Sequence, residues 1–342
     1  MAHRGVLSWL IGATVPSLNG GPLAGLRQGH HNGEFEVWPG GTSFTGITTT
    51  ATYTAEGWRV ATGAGTLGTV QRVANGRTGA RTRYGLQIAG DTGVTTIDAD
   101  QRIEASRVPA FKRQVTFSAY IRNDSGAAFT PSLLLGTPGA ADDFTTVTNR
   151  LTQTLQSCAD AAYTLVQHTV DISGYTNIDN GLQVTYRAPS GAVVASDTWG
   201  LFEPQIMEGS VVTPFEALPK GLVFTLCRRY FRSSFPDGTK PADNVINTGV
   251  LTGVLTATTN MEARIQWSDP MRAAPTFTAY CGTDSVSAGQ WSYYNGSGFV
   301  AGTSTTFARQ SVYGGICSFT TGILALAASY QTFGEWSASA RL

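Results

Sequence analysis

The chain has 342 residues, a formal net charge of zero, 13% charged residues, 42% hydrophobic residues and 40 glycines. That balance excludes a disordered chain, which would lack the apolar residues to form a core, and gives no overall positive field to steer it to nucleic acid. The length suits two domains, each large enough to bury a normal core without staples.

Low charge, abundant Ser and Thr and frequent Gly-marked turns predict an all-β chain. Of the 23 cations only Lys112, Lys220 and Lys240 are lysine, and arginine suits planar hydrogen bonding and interface ion pairs. Cys158, Cys227, Cys281 and Cys317 are widely spaced in apolar contexts with no CxxC pattern. They read as buried free thiols, consistent with assembly in a reducing cytoplasm.

Residues 1–31 differ from the rest. His3 and Arg4, an apolar run from Val6 to Val15 and then Pro16 superficially match a secretory leader. With Trp9 and Leu10 followed by the Gly-rich stretch Asn19 to Gly25, the segment reads instead as a docking arm. The run is too short to span a bilayer, so no membrane insertion is expected.

The region 32–219 carries strand patterns separated by turn residues. Asn32 to Phe44 opens it, with Phe35 and Val37 on one face and Trp38 on the other, and ends at Pro39-Gly40-Gly41. Strand patterns follow at Trp58 to Val60, Thr69 to Val73, Tyr84 to Ala89, Gln101 to Ser106, Val115 to Arg122 and Leu133 to Leu135. They resume at Tyr163 to Ile172, Gly181 to Tyr186 and Thr198 to Met207, and together they predict an antiparallel jelly roll. Leu151 to Ala162 also fits a short helix, with Leu151, Leu155 and Cys158 on one face.

Residues 199–231 form the joint of the molecule. Pro204 interrupts the strand from Trp199 to Met207, which predicts a bulged or edge strand. Gly209, Ser210 and Pro214 mark a turn, and from Leu222 to Phe231 the apolar residues recur at spacings of three and four, as in a short amphipathic connector helix over 220–231. Residues 232–342 then read as a smaller β-sandwich. Its strands are expected at Val245 to Leu255, Met261 to Trp267, Thr276 to Tyr280, Gln290 to Tyr294, Thr305 to Val312, Ile323 to Tyr330 and Glu335 to Arg341. Asn295-Gly296 is a hairpin signal.

The strings GLFEPQIMEGSVVTPFEALPKG (200–221) and LCRRYF (226–231) carry a resemblance. Asn32 to Phe44, Tyr53 to Val60 and Asp269 to Thr276 extend it. They resemble segments of tailed-bacteriophage tail fibres and related virion appendage proteins, in which such a strand closes a carbohydrate-binding-module-like β-sandwich and the following element opens the next domain. The resemblance runs from about residue 32 to the end of the sequence given. It implies a jelly roll followed by a second sandwich, a homotrimer, docking to other virion proteins through the arm, and attachment to host cell-surface polysaccharide. It also implies a location in the virion after assembly in the host cytoplasm. Modules of that look often carry a structural calcium ion, for which Asn32, Glu34 and Glu36 are candidate oxygen ligands, although no Asp-rich loop completes a set.

Motifs for catalysis are scarce. Gly63 to Gly68 matches GxGxxG, but a strand follows it where the dinucleotide fingerprint needs a helix N-terminus. His30-His31 suggests a metal pair, yet neighbours on a strand point to opposite faces, so a solvated loop pair is expected. Sugar hydrolysis needs two convergent carboxylates, and the acids are scattered, with Asp98, Asp100, Asp142 and Asp143 in turn-like contexts. The internal repeats of a depolymerase β-helix are missing, so a non-enzyme is expected and no cofactor. Trp291, Tyr293 and Tyr294 flank the hairpin signal and are the candidate sugar-stacking residues, with Trp291 and Tyr293 on one face and Tyr294 on the other. Trp38, Trp58 and Trp199 are expected in the core. The rival readings are an architectural head fibre, head decoration or tail adaptor without a glycan site, and a polysaccharide depolymerase.

Overall fold

The computed structural model describes residues 28–245, 250–257, 259–282, 288–294, 297–321 and 330–342. The expected all-β fold is what it shows. The arm residues Trp9 and Leu10 lie outside the described residues, as do Asn295-Gly296 and most of the strand expected at Ile323 to Tyr330.

Twelve strands build the first unit: β1 (Ser43–Phe44), β2 (Thr52–Tyr53), β3 (Trp58–Thr62), β4 (Val70–Ala74), β5 (Tyr84–Ala89), β6 (Ile97–Glu104), β7 (Gln114–Asp124), β8 (Ser132–Ala140), β9 (Asp143–Thr154), β10 (Ala162–Asp171), β11 (Gly181–Ala188) and β12 (Thr198–Glu208). They form two six-stranded antiparallel sheets, ordered β1-β4-β5-β12-β7-β10 and β2-β3-β6-β11-β8-β9. Alternation decides which side faces the core. Along β7, Val115, Phe117, Ala119 and Ile121 are buried in the cluster that also takes Trp58, Leu86, Ile103, Val184 and Trp199. Their neighbours Ser118, Tyr120 and Arg122 therefore point to the outer face. Trp38, Trp58 and Trp199 are fully buried, as expected.

Three local expectations fail for physical reasons. Residues 32–38 form no strand: Asn32 and Phe35 adopt φ of 54° and 53°, and the Asn32 side chain bonds both Val37 N–H and the Val37 and Glu56 carbonyls. Phe35, Val37 and Trp38 are consequently all buried rather than alternating. Leu151 to Ala162 is not a helix. Leu151 to Thr154 belong to β9, and Leu155 and Cys158 donate their N–H groups to Pro131 and Phe129 carbonyls, so the sheet ladder outbids a short amphipathic helix. Finally, β12 is bulged but not an edge, since it lies between β5 and β7.

The joint contains α1 (Lys220–Arg228), which buries Val223 and Cys227 against Val37 of the first unit. Beyond it come β13 (Phe231–Ser233), β14 (Val250–Ala257), β15 (Asn260–Gln266), β16 (Thr276–Tyr280), β17 (Ser292–Tyr294), β18 (Phe299–Ala301), β19 (Thr303–Ser311), β20 (Gly314–Thr320), β21 (Tyr330–Phe333) and β22 (Glu335–Ser339). These give a three-stranded sheet, β13-β22-β16, and a seven-stranded one, β18-β17-β21-β14-β15-β20-β19. The strand β20 has no counterpart in the sequence reading.

Ion pairs clamp the units together. Arg229 reaches both oxygens of Glu104 at 3.0 and 2.9 Å, and Arg341 pairs with the fully buried Glu56. Burial opposes the charge on Glu104, but hydrogen bonds from Arg229 and Ser106 help to outweigh it and leave the carboxyl below its ordinary pKa.

Candidate functional site

The first unit carries a groove of about 280 Å³ on its outer face, over β12, β7 and β10. Its origin is one irregularity in β12. Three steps along β12, from Phe202 to Gln205, match two along β7, from Tyr120 to Ser118. The extra residue is a bulge centred on Glu203, whose φ is 49°, and Pro204, which has no N–H to give to the ladder. The sequence carries the signal: Trp199, Leu201 and Ile206 all face the core, and the odd interval from Leu201 to Ile206 requires an extra residue.

The bulge aims two side chains at the walls of the groove. Glu203 accepts hydrogen bonds from the backbone N–H of Arg81 at 2.6 Å and of Thr82 at 3.3 Å, and pairs with the Arg77 guanidinium at 2.7 Å. This buried carboxylate ties residues 77–82 down as one wall. Gln205 holds the opposite wall: its Oε1 accepts from Glu216 N–H at 2.8 Å and its Nε2 donates to the Thr213 carbonyl at 3.2 Å. That wall presents Val212, Thr213, Pro214 and Phe215.

Between the walls lie Ser118, Tyr120 and Leu165, with Tyr120 paired across the strands to Leu165 and Phe202. The Arg77 guanidinium sits 3.8 Å over the Tyr120 ring. Tyr120 stays half-exposed and Leu165 is exposed. The strip continues toward Tyr163, which meets Phe202 edge-on at 5.2 Å and is itself covered by Arg122. Phe202 can lie flat on the sheet because Gly85 and Gly200 flank it, where an added Cβ would come within 2.1 and 2.5 Å of its ring. Arg81 is exposed and its guanidinium has no partner among the described residues.

Chemically the groove offers an amphipathic ring and a half-apolar floor, hydroxyls from Ser118 and Thr213, and a fork of free N–H donors on Arg81. Glu203 is the one carboxylate among its described lining residues, whereas glycoside hydrolysis takes two.

The sequence-derived candidates fall elsewhere. Trp291 is fully buried, donates its indole N–H to the Glu335 carbonyl at 3.1 Å and packs edge-on to Phe307. Tyr293 is buried beside it. Neither offers a ring face to a ligand, which corrects that expectation: both rings belong to the second unit's core, shared with Phe277 and Ala338 of the three-stranded sheet. Tyr294 is exposed and meets Phe299 across the strand pair at 5.5 Å.

His30 and His31 are buried, not solvated. His30 Nδ1 lies 3.0 Å from Gln101 Oε1, and His31 stacks on Tyr230 at 4.8 Å. Burial holds the His30 pKa down to about 3 and depresses that of His31 as well, helped by the neighbouring Arg107. The calcium candidates do not converge. Asn32 is spent on backbone groups, Glu34 accepts from Leu218 N–H, and Glu36 faces Lys220. Among the described residues no group of three or more His, Cys, Asp or Glu is placed to hold a metal ion.

What sequence reasoning missed is Arg77, Tyr120, Tyr163 and Glu203. The alternation along β7 already put Tyr120 outward, but nothing local said that two loops would rise on either side of it.

No family model and no curated protein matches the chain. Among solved structures it is similar to the CBM22-2 xylan-binding domain from Paenibacillus barcinonensis Xyn10C, at 13% identity and TM-score 0.32, covering 48% of this chain and 98% of that one. A putative sugar binding protein from Bacteroides thetaiotaomicron is similar at 9% identity and TM-score 0.35, covering 53% and 99%. The enzymatically active domain of bacteriophage CBA120 tailspike protein 4 is similar at 7% identity and TM-score 0.32, covering 53% of this chain and 21% of that one. Scores and identities this low carry no ligand or activity over to this chain.

Proposed function

We propose that this protein is a non-catalytic glycan-binding component of a virion appendage, with the outer groove of the first unit as its saccharide site. The observation that carries the reading is the groove itself: a half-exposed tyrosine on an open sheet face, between two walls that buried Glu203 and Gln205 hold in place. Sugar rings present apolar C–H faces to such a ring and hydroxyls to the polar groups around it. At about 280 Å³ the groove is near the small end of ligand sites, roughly 300–1,000 Å³, a size suited to one or two sugar units of a longer chain. Weak sites of that kind gain avidity, by about a hundredfold to ten-thousandfold, when several copies engage one polysaccharide. The virion setting, the arm as a dock and the homotrimer rest on the sequence resemblance.

The test is a glycan and host-surface binding assay on the purified multimer, with polysaccharide chain length measured after long incubation. Binding with uncut chains is expected, and Tyr120→Ala is expected to weaken it by about tenfold, since a ring-stacking contact contributes on the order of 1 kcal/mol. Shortened chains would make the protein a depolymerase. No binding by a properly assembled multimer would leave the architectural role.

A further inference from the structure

A second concavity, of about 230 Å³, opens where the two units meet. Its walls are aromatic. Trp267 and Trp336 stack on each other at 5.8 Å with 27° between their planes, both half-buried, and Phe224 of α1 and Phe231 of β13 close the other side.

Its cations are two arginines laid on rings. The Arg232 guanidinium is 5.0 Å from the Trp267 ring and the Arg228 guanidinium is 5.9 Å from Phe224. Among the described residues Arg232 donates to carbonyls, those of Arg228 and Asp269. Arg228 is exposed and makes no hydrogen bond or ion pair among the described residues. Two acids also line the cleft. Glu56 is neutralised by Arg341, and Asp237 turns its Oδ1 onto Trp38 N–H at 2.7 Å. Among the described residues neither cation has a carboxylate within ion-pair distance, and the one remaining acid of the cleft is already engaged.

We propose that this seam cleft is a second saccharide site, selective for an acidic sugar such as a hexuronate. The ring of the sugar would lie against the Trp267–Trp336 wall, and its carboxylate would take charge-assisted hydrogen bonds from Arg228 and Arg232. Arg228 keeps its edge N–H groups free for a planar carboxylate, while Arg232, whose Nε and Nη2 are held by carbonyls, offers its Nη1. The chain's own first 27 residues contain no Asp or Glu, so charge complementarity favours an external anion over that segment as the occupant. This site stands apart from the outer groove and does not depend on it.

Tryptophan fluorescence of a full chain carrying Trp9→Phe reads the cleft, because of the six remaining tryptophans Trp38, Trp58, Trp199 and Trp291 are fully buried while Trp267 and Trp336 are not. Titration with D-glucuronate is expected to give a saturable change that weakens as salt is added, and D-glucose a much smaller one. Arg228→Gln, at an exposed position, is expected to fold normally and lose about tenfold in glucuronate affinity, whereas Tyr120→Ala is expected to leave it unchanged. Equal responses to glucose and glucuronate, equal competition by ringless acetate, or an Arg228→Gln variant that binds like the parent would each overturn the proposal.

Discussion

Two aromatic strand segments in this protein have nearly the same pattern and opposite fates. Along Trp291-Ser292-Tyr293-Tyr294 the pair of rings on one face is buried under the second unit's sheet and only Tyr294 is exposed. Along Ser118-Ala119-Tyr120-Ile121 the core takes Ala119 and Ile121, and Tyr120 is left on an open face between two walls. Alternation says which residues share a face; it does not say which face another layer will cover. Coverage is decided by long-range pairing, here by β17 joining β21 and by β12 joining β7.

The strongest way to break the contrast is Trp291→Ala. Removing a fully buried indole leaves a cavity, and large-to-small changes of this kind cost about 3–5 kcal/mol. The expected result is a large drop in the denaturation midpoint of the second unit, with glycan binding per folded molecule preserved. Lost binding at unchanged stability would instead return Trp291 to the ligand site.

Acid should separate the two units next. His30 has its pKa held near 3 by burial, against about 6.5 in an unfolded chain. Above pH 6.5 neither state is charged and the full stability is present. As pH falls below 6.5 the unfolded chain binds a proton that the folded one refuses, so stability declines until the folded pKa is reached. From pH 7 to 5 this amounts to about 2 kcal/mol from His30, and His31, depressed in the same direction, adds to it. Residues 232–342 contain no histidine. Hydrogen exchange at pH-corrected rates should therefore show β6 and β7 losing protection before β14 and β15 do; a uniform loss would mean that the clamps at Glu104 and Glu56 make the two units unfold as one.

How much of this was legible in the sequence follows from the range of the interactions involved. The strands Tyr84–Ala89, Gln114–Asp124 and Thr198–Glu208 were readable because apolar, β-branched runs bounded by turn residues are a local property. The connector helix was readable for the same reason. Asn32 to Trp38 was misread because a single asparagine side chain captures the backbone there, a choice that period alone does not report. His30 and His31 were misread because their burial depends on Gln101 and Tyr230, some 70 and 200 residues away. The groove needed Glu203 to meet Arg77 and Arg81, more than 120 residues earlier in the chain. Its one local trace was the change of parity across Pro204.

Tyr294 gives the smallest effect and the sharpest control. It shares the hairpin with Trp291 and is an exposed aromatic on a sheet, more so than the half-exposed Tyr120, so composition and exposure alone would rank it as a sugar contact. Among the described residues no pair of walls like that at Tyr120 flanks it: it meets Phe299, itself 47% exposed, across the β17–β18 pair. A cross-strand aromatic pair on an open surface contributes about 0.2–1 kcal/mol. Tyr294→Ala is therefore expected to lower stability by about 0.5 kcal/mol and to leave glycan affinity within error of the parent, measured beside Tyr120→Ala in the same binding assay. If Tyr294→Ala weakened binding as much as Tyr120→Ala, an exposed ring would suffice for recognition. The walls that Glu203 and Gln205 hold would then have no part in it.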